Sequence, residues 1–121
     1  MKTCADFIGA LFLARDMTHS VHLNTRSFSK HSALGTFYDE IVDLADGLAE
    51  QYQGEYGLIG PISLMNAKRT TNIVAFLEDQ LADIQKTRYE VFKKDDSAIQ
   101  NEIDTIVKLY RTTLYKLKFL A

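Results

Sequence analysis

The segment SKHSALGTFYDEIVDLADGLAEQY, residues 29–52, has the strongest periodic pattern in the chain. Its apolar residues recur at steps of three and four, which is the period of one face of an α-helix. They are Leu34, Phe37, Tyr38, Ile41, Leu44, Ala45, Leu48 and Tyr52. The pattern predicts a long amphipathic helix over about residues 29–52, with Gly54 as its C-terminal cap.

Three further segments repeat the helical period. The first begins at the capping-box pattern Thr3-x-x-Asp6 and runs to about Leu23. The third spans about residues 70–93, and the fourth opens with a second capping-box pattern, Ser97-x-x-Gln100. No segment alternates as a β-strand does. We therefore predict an all-α protein, a four-helix bundle forming a single domain over residues 1–121.

The longest loop-rich stretch lies around residues 53–68 and contains the single proline, Pro61. It separates two helical hairpins. A connection of this length can cross the bundle, as in the ferritin-like arrangement with one crossover, or it can cap one end of an up-down bundle. The sequence favours the ferritin-like arrangement and leaves the second open.

Composition restricts the class of protein. The chain has a net charge of -2 and 46% hydrophobic residues, which gives no bulk electrostatic case for nucleic acid. Cys4 is the lone cysteine, and no apolar run is long enough for a transmembrane helix. We find no signal peptide and expect a cytoplasmic protein. One local exception is the C-terminal stretch, which contains the basic residues Lys108, Arg111, Lys116 and Lys118 and no acidic residue.

Five polar residues are candidate metal ligands: His19, His22, His31, Asp46 and Glu50. Imidazole and carboxylate groups are accepted by first-row metals. His31 and Asp46 are 15 residues apart on one helix, which places them about 22 Å apart at 1.5 Å per residue. A site built from both halves therefore needs a second subunit, related by a two-fold axis.

The spacing His-x11-His followed by Asp-x3-Glu resembles the ferroxidase motif of the Dps family of ferritin-like proteins. The resemblance covers about residues 5–57 and matches His31, Asp46 and Glu50. Its first histidine is either His19, by ungapped spacing, or His22, because His22-Leu23-Asn24 is similar to the family's His-Trp-Asn. The chain is also similar to small Dps-like proteins of tailed phages.

This resemblance implies an iron cofactor, a homo-oligomer with two-fold symmetry, ferroxidase-type activity and, for a phage protein, the host cytoplasm. Gly35 stands where the family has a ligand aspartate, Gln51 replaces its arginine, and no tryptophan is present. Zinc or no metal are the alternatives to iron. The alternative functions are a structural or partner-binding bundle without the chemistry, and a shell protein associated with DNA through its basic C-terminal stretch.

Overall fold

A computed structural model describes residues 1–120. It contains four α-helices: α1 (Cys4–Asn24), α2 (Phe28–Tyr56), α3 (Ile73–Val91) and α4 (Ser97–Phe119). No strand occurs in the described residues, so the prediction of an all-α protein is confirmed. None of these four helices has an apolar stretch long enough to cross a lipid bilayer.

The start of α1 is as predicted. The Thr3 side chain accepts a hydrogen bond from the backbone N–H of Asp6, and the Asp6 carboxylate accepts one from the backbone N–H of Thr3. This capping box satisfies two donors that the first turn of a helix leaves free.

Three predictions about the helix ends are wrong. Gly54 lies inside α2, which continues to Tyr56 and ends at Gly57, where φ is +92°. A glycine adopts that backbone conformation without steric cost, whereas an exposed glycine inside a helix is merely tolerated. The cap of α4 is Asp96 rather than Ser97, because the Asp96 carboxylate accepts a hydrogen bond from the backbone N–H of Ile99. The third helix likewise begins later than predicted, at Ile73.

The helices surround one core in the cyclic order α1, α2, α4, α3. Neighbours in this ring are in contact, while α2 and α3 lie diagonally opposite each other. Their inward faces supply the largest fully buried side chains, which include Phe7, Leu11, Leu34, Phe37, Ile41, Leu77, Ile84, Ile103 and Tyr110. The apolar stripe predicted for α2 therefore does face the core.

The connection over residues 57–72, here called the strap, runs along α1 from one end of the bundle to the other. Near its start, the Ser63 backbone N–H donates to the Ala5 carbonyl oxygen, and the Ser63 hydroxyl donates to the Asp6 carboxylate at 2.6 Å. Near its end, the Thr70 backbone N–H donates to the Met17 sulfur at 3.4 Å. The strap therefore carries the chain back to the end where α2 begins, so that α2 and α3 run parallel.

Gly9 makes this course of the strap sterically feasible. A Cβ atom built on Gly9 would lie 2.1 Å from the carbonyl oxygen of Ser63, a contact that no side chain tolerates. The glycine therefore lets the strap backbone lie directly on α1.

A buried polar network joins α3 to α4. Arg88 is 6% exposed, and its Nε donates to Oε1 of Gln100 at 2.9 Å. Its Nη2 donates to the Gln100 carbonyl oxygen and, at 2.7 Å, to the Asp104 carboxylate. The Gln100 amide in turn donates to the Arg88 carbonyl oxygen. Within the described residues, no buried side-chain nitrogen or oxygen lacks a partner.

Candidate functional site: a histidine clasp and a basic pole

The structure gathers the three histidines and leaves the two carboxylates elsewhere. His19 and His22 lie in the last turns of α1, beside His31 in the first turns of α2, and all three are half-buried. Asp46 and Glu50 are exposed, further along α2. Across residues 1–120, no three His, Cys, Asp or Glu side chains come together as a metal-binding group.

His22 and His31 form a reciprocal pair, here called the histidine clasp. His22 Nδ1 donates to the His31 carbonyl oxygen at 2.6 Å, and His31 Nδ1 donates to the His22 carbonyl oxygen at 2.8 Å. Because a carbonyl oxygen only accepts, each Nδ1 carries a hydrogen. The two rings stack with their centroids 3.7 Å apart and their planes 18° from parallel. The clasp thus closes the turn between α1 and α2.

Gly35 provides the space for this clasp. A Cβ atom built on Gly35 would lie 3.0 Å from Cε1 and 3.3 Å from Nδ1 of His22. Any side chain at this position would press on the imidazole. Gly35, where the Dps family has a ligand aspartate, is therefore a point of close contact between α1 and α2.

The other histidine belongs to the same interface. The His19 ring stacks on Tyr38 with centroids 4.1 Å apart and planes 9° from parallel, and the Arg15 guanidinium lies 5.5 Å from the Tyr38 ring.

The geometry of the clasp does not favour chelation of a metal ion. The nearly parallel rings of His22 and His31 place their Nε2 lone pairs in nearly parallel planes. Such lone pairs do not converge on one ion, so chelation by both rings would require one of them to turn.

One end of the bundle, here called the basic pole, collects three segments that are distant in sequence. Val21 and Lys30 line a cavity together with residues 70–74, and Phe28 lines another with Lys116. The segments 22–32, 70–74 and 114–120 therefore meet at this end. They carry four basic residues and no acidic residue: Arg26, Lys30, Lys116 and Lys118. Of these, Lys118 forms an ion pair with Glu78 at 3.2 Å.

The basic pole also holds most of the large exposed hydrophobic residues. Five of the nine large exposed hydrophobic residues belong to it: Leu23, Phe28, Tyr115, Phe119 and Leu120. Between the start of α2 and the end of α4 lies an open groove of about 360 Å³, lined by Phe28, Ser29, Ser32, Ala33, Thr36, Lys116 and Leu120. Large apolar patches with a polar rim on a protein surface mark interaction sites.

The opposite pole has the reverse charge. Segments 50–59 and 88–102 carry six acidic residues and three basic ones. There the Tyr56 hydroxyl donates to the Asp96 carboxylate, which raises the pKa of Tyr56 to about 12 and lowers the pKa of Asp96. Cys4 is buried beside this end, and its burial raises the thiol pKa to about 11, so the thiol is not an activated nucleophile.

The basic pole does not follow from the C-terminal stretch of the sequence alone. Only Lys116 and Lys118 of the pole belong to that stretch, and Arg26 and Lys30 come from the region where α1 ends and α2 begins. Counting charge by bundle end, rather than along the chain, reveals the set once the arrangement of the helices is known.

A curated protein of Enterobacteria phage T4 is similar to this chain. It is described as an uncharacterized 14.6 kDa protein in the mobD-ri intergenic region, and it is 29% identical over 112 residues. The match covers 93% of this chain and 85% of the phage protein. The expectation of a phage protein agrees with this relative. No solved structure matches the chain.

The assignment to the Dps family is wrong. A family model matches residues 22–117, and it describes a family of unknown function, DUF5856. Neither this family nor the phage relative is a Dps or ferritin protein by its description. The motif that carried the resemblance contains the clasp, whose histidines bond to the backbone of the neighbouring helix. The chain belongs to the DUF5856 family.

Proposed function

We propose that the protein is a partner-binding helical bundle whose basic pole docks an anionic macromolecule. The observation that carries this proposal is the meeting of three segments that carry four basic residues, one of them paired with Glu78, beside an exposed apolar groove. An apolar surface left open by folding, with charges of one sign around it, favours a binding role.

The charge distribution would orient such a partner. The net charge of -2 gives no overall attraction to a polyanion, but charges are screened over about 10 Å at 0.1 M salt, so a local cluster acts independently of the far end of the bundle. The acidic pole would repel the same partner. Both effects favour docking at one end only.

The test is binding of heparin, a generic polyanion, by calorimetry over a salt series. We expect measurable binding at low salt that weakens steeply as salt rises. The double variant Arg26→Glu with Lys116→Glu should lose it. Lys86→Glu with Lys94→Glu makes the same change in net charge away from the basic pole, on exposed sites of α3 and the turn after it, and should retain it.

Two outcomes would count against the proposal. One is an absence of heparin binding by the wild-type protein at low salt. The other is an equal loss of binding in both double variants, because that result would attribute the effect to net charge rather than to the pole.

The helix order and the long strap also support a one-crossover, ferritin-like topology for this bundle. The term describes the connection of the helices and implies no relationship to ferritins. An experimental structure is the test. A strap that leaves α1 and caps the end of α2 would contradict it.

The inter-subunit metal site stays a prediction, with iron or zinc as the ion. It needs His19 or His22 and His31 of one copy to meet Asp46 and Glu50 of a two-fold-related copy. Calorimetric titration with Fe(II) or Zn(II), together with the mass in solution, tests both the metal and the oligomer. Equal binding by wild type and His31→Ala, or a strictly monomeric protein, would remove the prediction.

A further inference from the structure

We infer that the anionic partner of the basic pole is single-stranded nucleic acid, held by stacking of its bases on exposed aromatic rings. This inference rests on the proposed function, and it adds the chemical class of the partner. It depends on flat aromatic surfaces at the pole, which charge attraction alone does not require.

Phe28 is the first of these surfaces. It opens α2 and is 82% exposed, so folding buries little of its ring. The ring lies 6.4 Å from that of His31, with planes 27° from parallel, and His31 is held in turn by the clasp. An aromatic face supported on one side and open on the other is the geometry on which bases stack.

The end of α4 supplies the second surface. Tyr115 is 54% and Phe119 71% exposed, with ring centroids 6.2 Å apart. Lys116 and Lys118 alternate with them in the sequence Tyr115-Lys116-Leu117-Lys118-Phe119. Aromatic residues interleaved with cations can contact bases and phosphates of one strand together.

The groove lies between Phe28 and the end of α4, the helix that also carries Tyr115 and Phe119. It is lined by the hydroxyl-bearing residues Ser29, Ser32 and Thr36 and by Lys116. Hydroxyl and lysine groups are ordinary partners of phosphate oxygens. A single strand whose backbone follows the groove therefore has the Phe28 ring beside its bases, and the rings of Tyr115 and Phe119 lie on the helix that forms the other side.

The two other anionic partners use less of this surface. A nucleic acid duplex presents its phosphates to the basic residues of the pole. Its nucleobases stay stacked inside the duplex, where Phe28 and Phe119 do not reach them. An acidic polypeptide meets the cations without flat groups for the rings. Single-stranded nucleic acid is the class that uses charge, groove and aromatic faces together.

The experiment measures fluorescence anisotropy of a labelled oligodeoxythymidine of about 12 nucleotides, within the usual site size of such proteins. The competitors are a duplex of equal length, heparin and polyglutamate. We expect the single strand to bind at least about tenfold more tightly than the duplex. If about four cations contact phosphate, the logarithm of the affinity should fall with the logarithm of salt at a slope of about -3.

Phe28 variants separate stacking from charge. Phe28→Ala should weaken single-strand binding by about fivefold to a hundredfold, the effect of losing one stacked base. Phe28→Trp should retain affinity, while Phe28→Leu, which keeps an apolar side chain without the flat face, should not. Tyr89→Ala removes another half-exposed aromatic ring, on α3 and outside the basic pole, and should leave affinity unchanged.

The outcomes distinguish this inference from the proposed function. Heparin binding at the pole with equal affinity for single strand, duplex and polyglutamate would overturn the inference and leave the docking function standing. An unchanged affinity in Phe28→Ala would do the same. A lack of any polyanion binding would overturn both.

Discussion

The two helical hairpins are held by different kinds of polar contact. In the α1–α2 hairpin, half-buried imidazoles donate to backbone carbonyl oxygens across the turn. In the α3–α4 hairpin, the buried Arg88 binds the side chain and backbone of Gln100. The histidines form an evident motif in the sequence, whereas Arg88 has no motif. The comparison teaches that a motif shows where polar residues cluster, while burial determines how much the fold depends on them.

The largest effect should come from Arg88→Met. It removes four side-chain hydrogen bonds and leaves the buried Gln100 Oε1 without its donor, so we expect a loss of about 2–4 kcal/mol in the free energy of unfolding. Urea denaturation measures it. Asp104→Asn is the control, since the Asp104 side chain is 63% exposed and should contribute less than about 1 kcal/mol. Equal losses in the two variants would contradict a buried role for Arg88.

The sequence predicts the helices better than it predicts their contacts. Periodicity identified all four, since each must bury one apolar face. It did not determine the course of the strap, because a chain of that length can cross the bundle or cap its end. The close approach of Ser63 to Gly9 is a backbone contact with no sequence pattern of its own.

The candidate site was predicted only in part. The histidines do cluster, as their positions on adjoining helices indicated, but their hydrogen bonds to carbonyl groups depend on the turn at residues 25–27. Gly35 was interpreted as a missing ligand because the resemblance supplied an aspartate there. Its contact with the His22 ring could be found only from the packing of α1 against α2.

The second largest effect should come from the clasp. His22→Ala removes a hydrogen bond and a stacked ring, and we expect a loss of about 1–2 kcal/mol in the free energy of unfolding. His19→Ala is the matched control, because His19 stacks on Tyr38 without taking part in the clasp. If His19→Ala costs as much as His22→Ala, the reciprocal hydrogen bonds are not what stabilises this hairpin.

A pair of glycine variants should show a smaller effect of opposite sign. Gly54→Ala in α2 meets no atom within 4 Å and should stabilise the protein by up to about 1 kcal/mol through helix propensity. Gly35→Ala has the same propensity gain, but its Cβ presses on His22, so we expect a smaller gain or a net loss. Thermal unfolding of both variants measures the difference. Equal stabilisation would show that the clasp accommodates the added Cβ atom without a cost in stability.

The two helix caps provide a pH comparison between the hairpins. The pKa of Asp6 is lowered chiefly by the hydrogen bond from Ser63, and that of Asp96 chiefly by the hydrogen bond from Tyr56. A lowered pKa in the folded state means stability that is present above the unfolded value of about 3.9 and lost as pH falls further. Denaturation at pH 7 and pH 3 should show this loss, and Asp6→Asn and Asp96→Asn should each reduce it.

The hydrogen bond between Tyr56 and Asp96 also affects stability at alkaline pH. The hydrogen bond to Asp96 is the main cause of the raised pKa of Tyr56, about 12. The resulting stability is present below about pH 10 and is lost as pH rises through 12. Ultraviolet absorbance of the phenolate should show one tyrosine of this kind returning toward pH 10 in Asp96→Asn. An unchanged titration would rule out the contact in solution.

The strap has a consequence for the order in which the chain folds. Contacts within each hairpin join residues close in sequence, whereas the strap and α3 meet α1 through pairs such as Asp6 with Ser63 and Ala10 with Gln80, which are 57 and 70 residues apart. Bringing such distant residues together costs more chain entropy than closing a short turn. The two hairpins should therefore form first. The slow step should be their docking against each other, which includes the packing of residues 57–72 against α1 at Gly9.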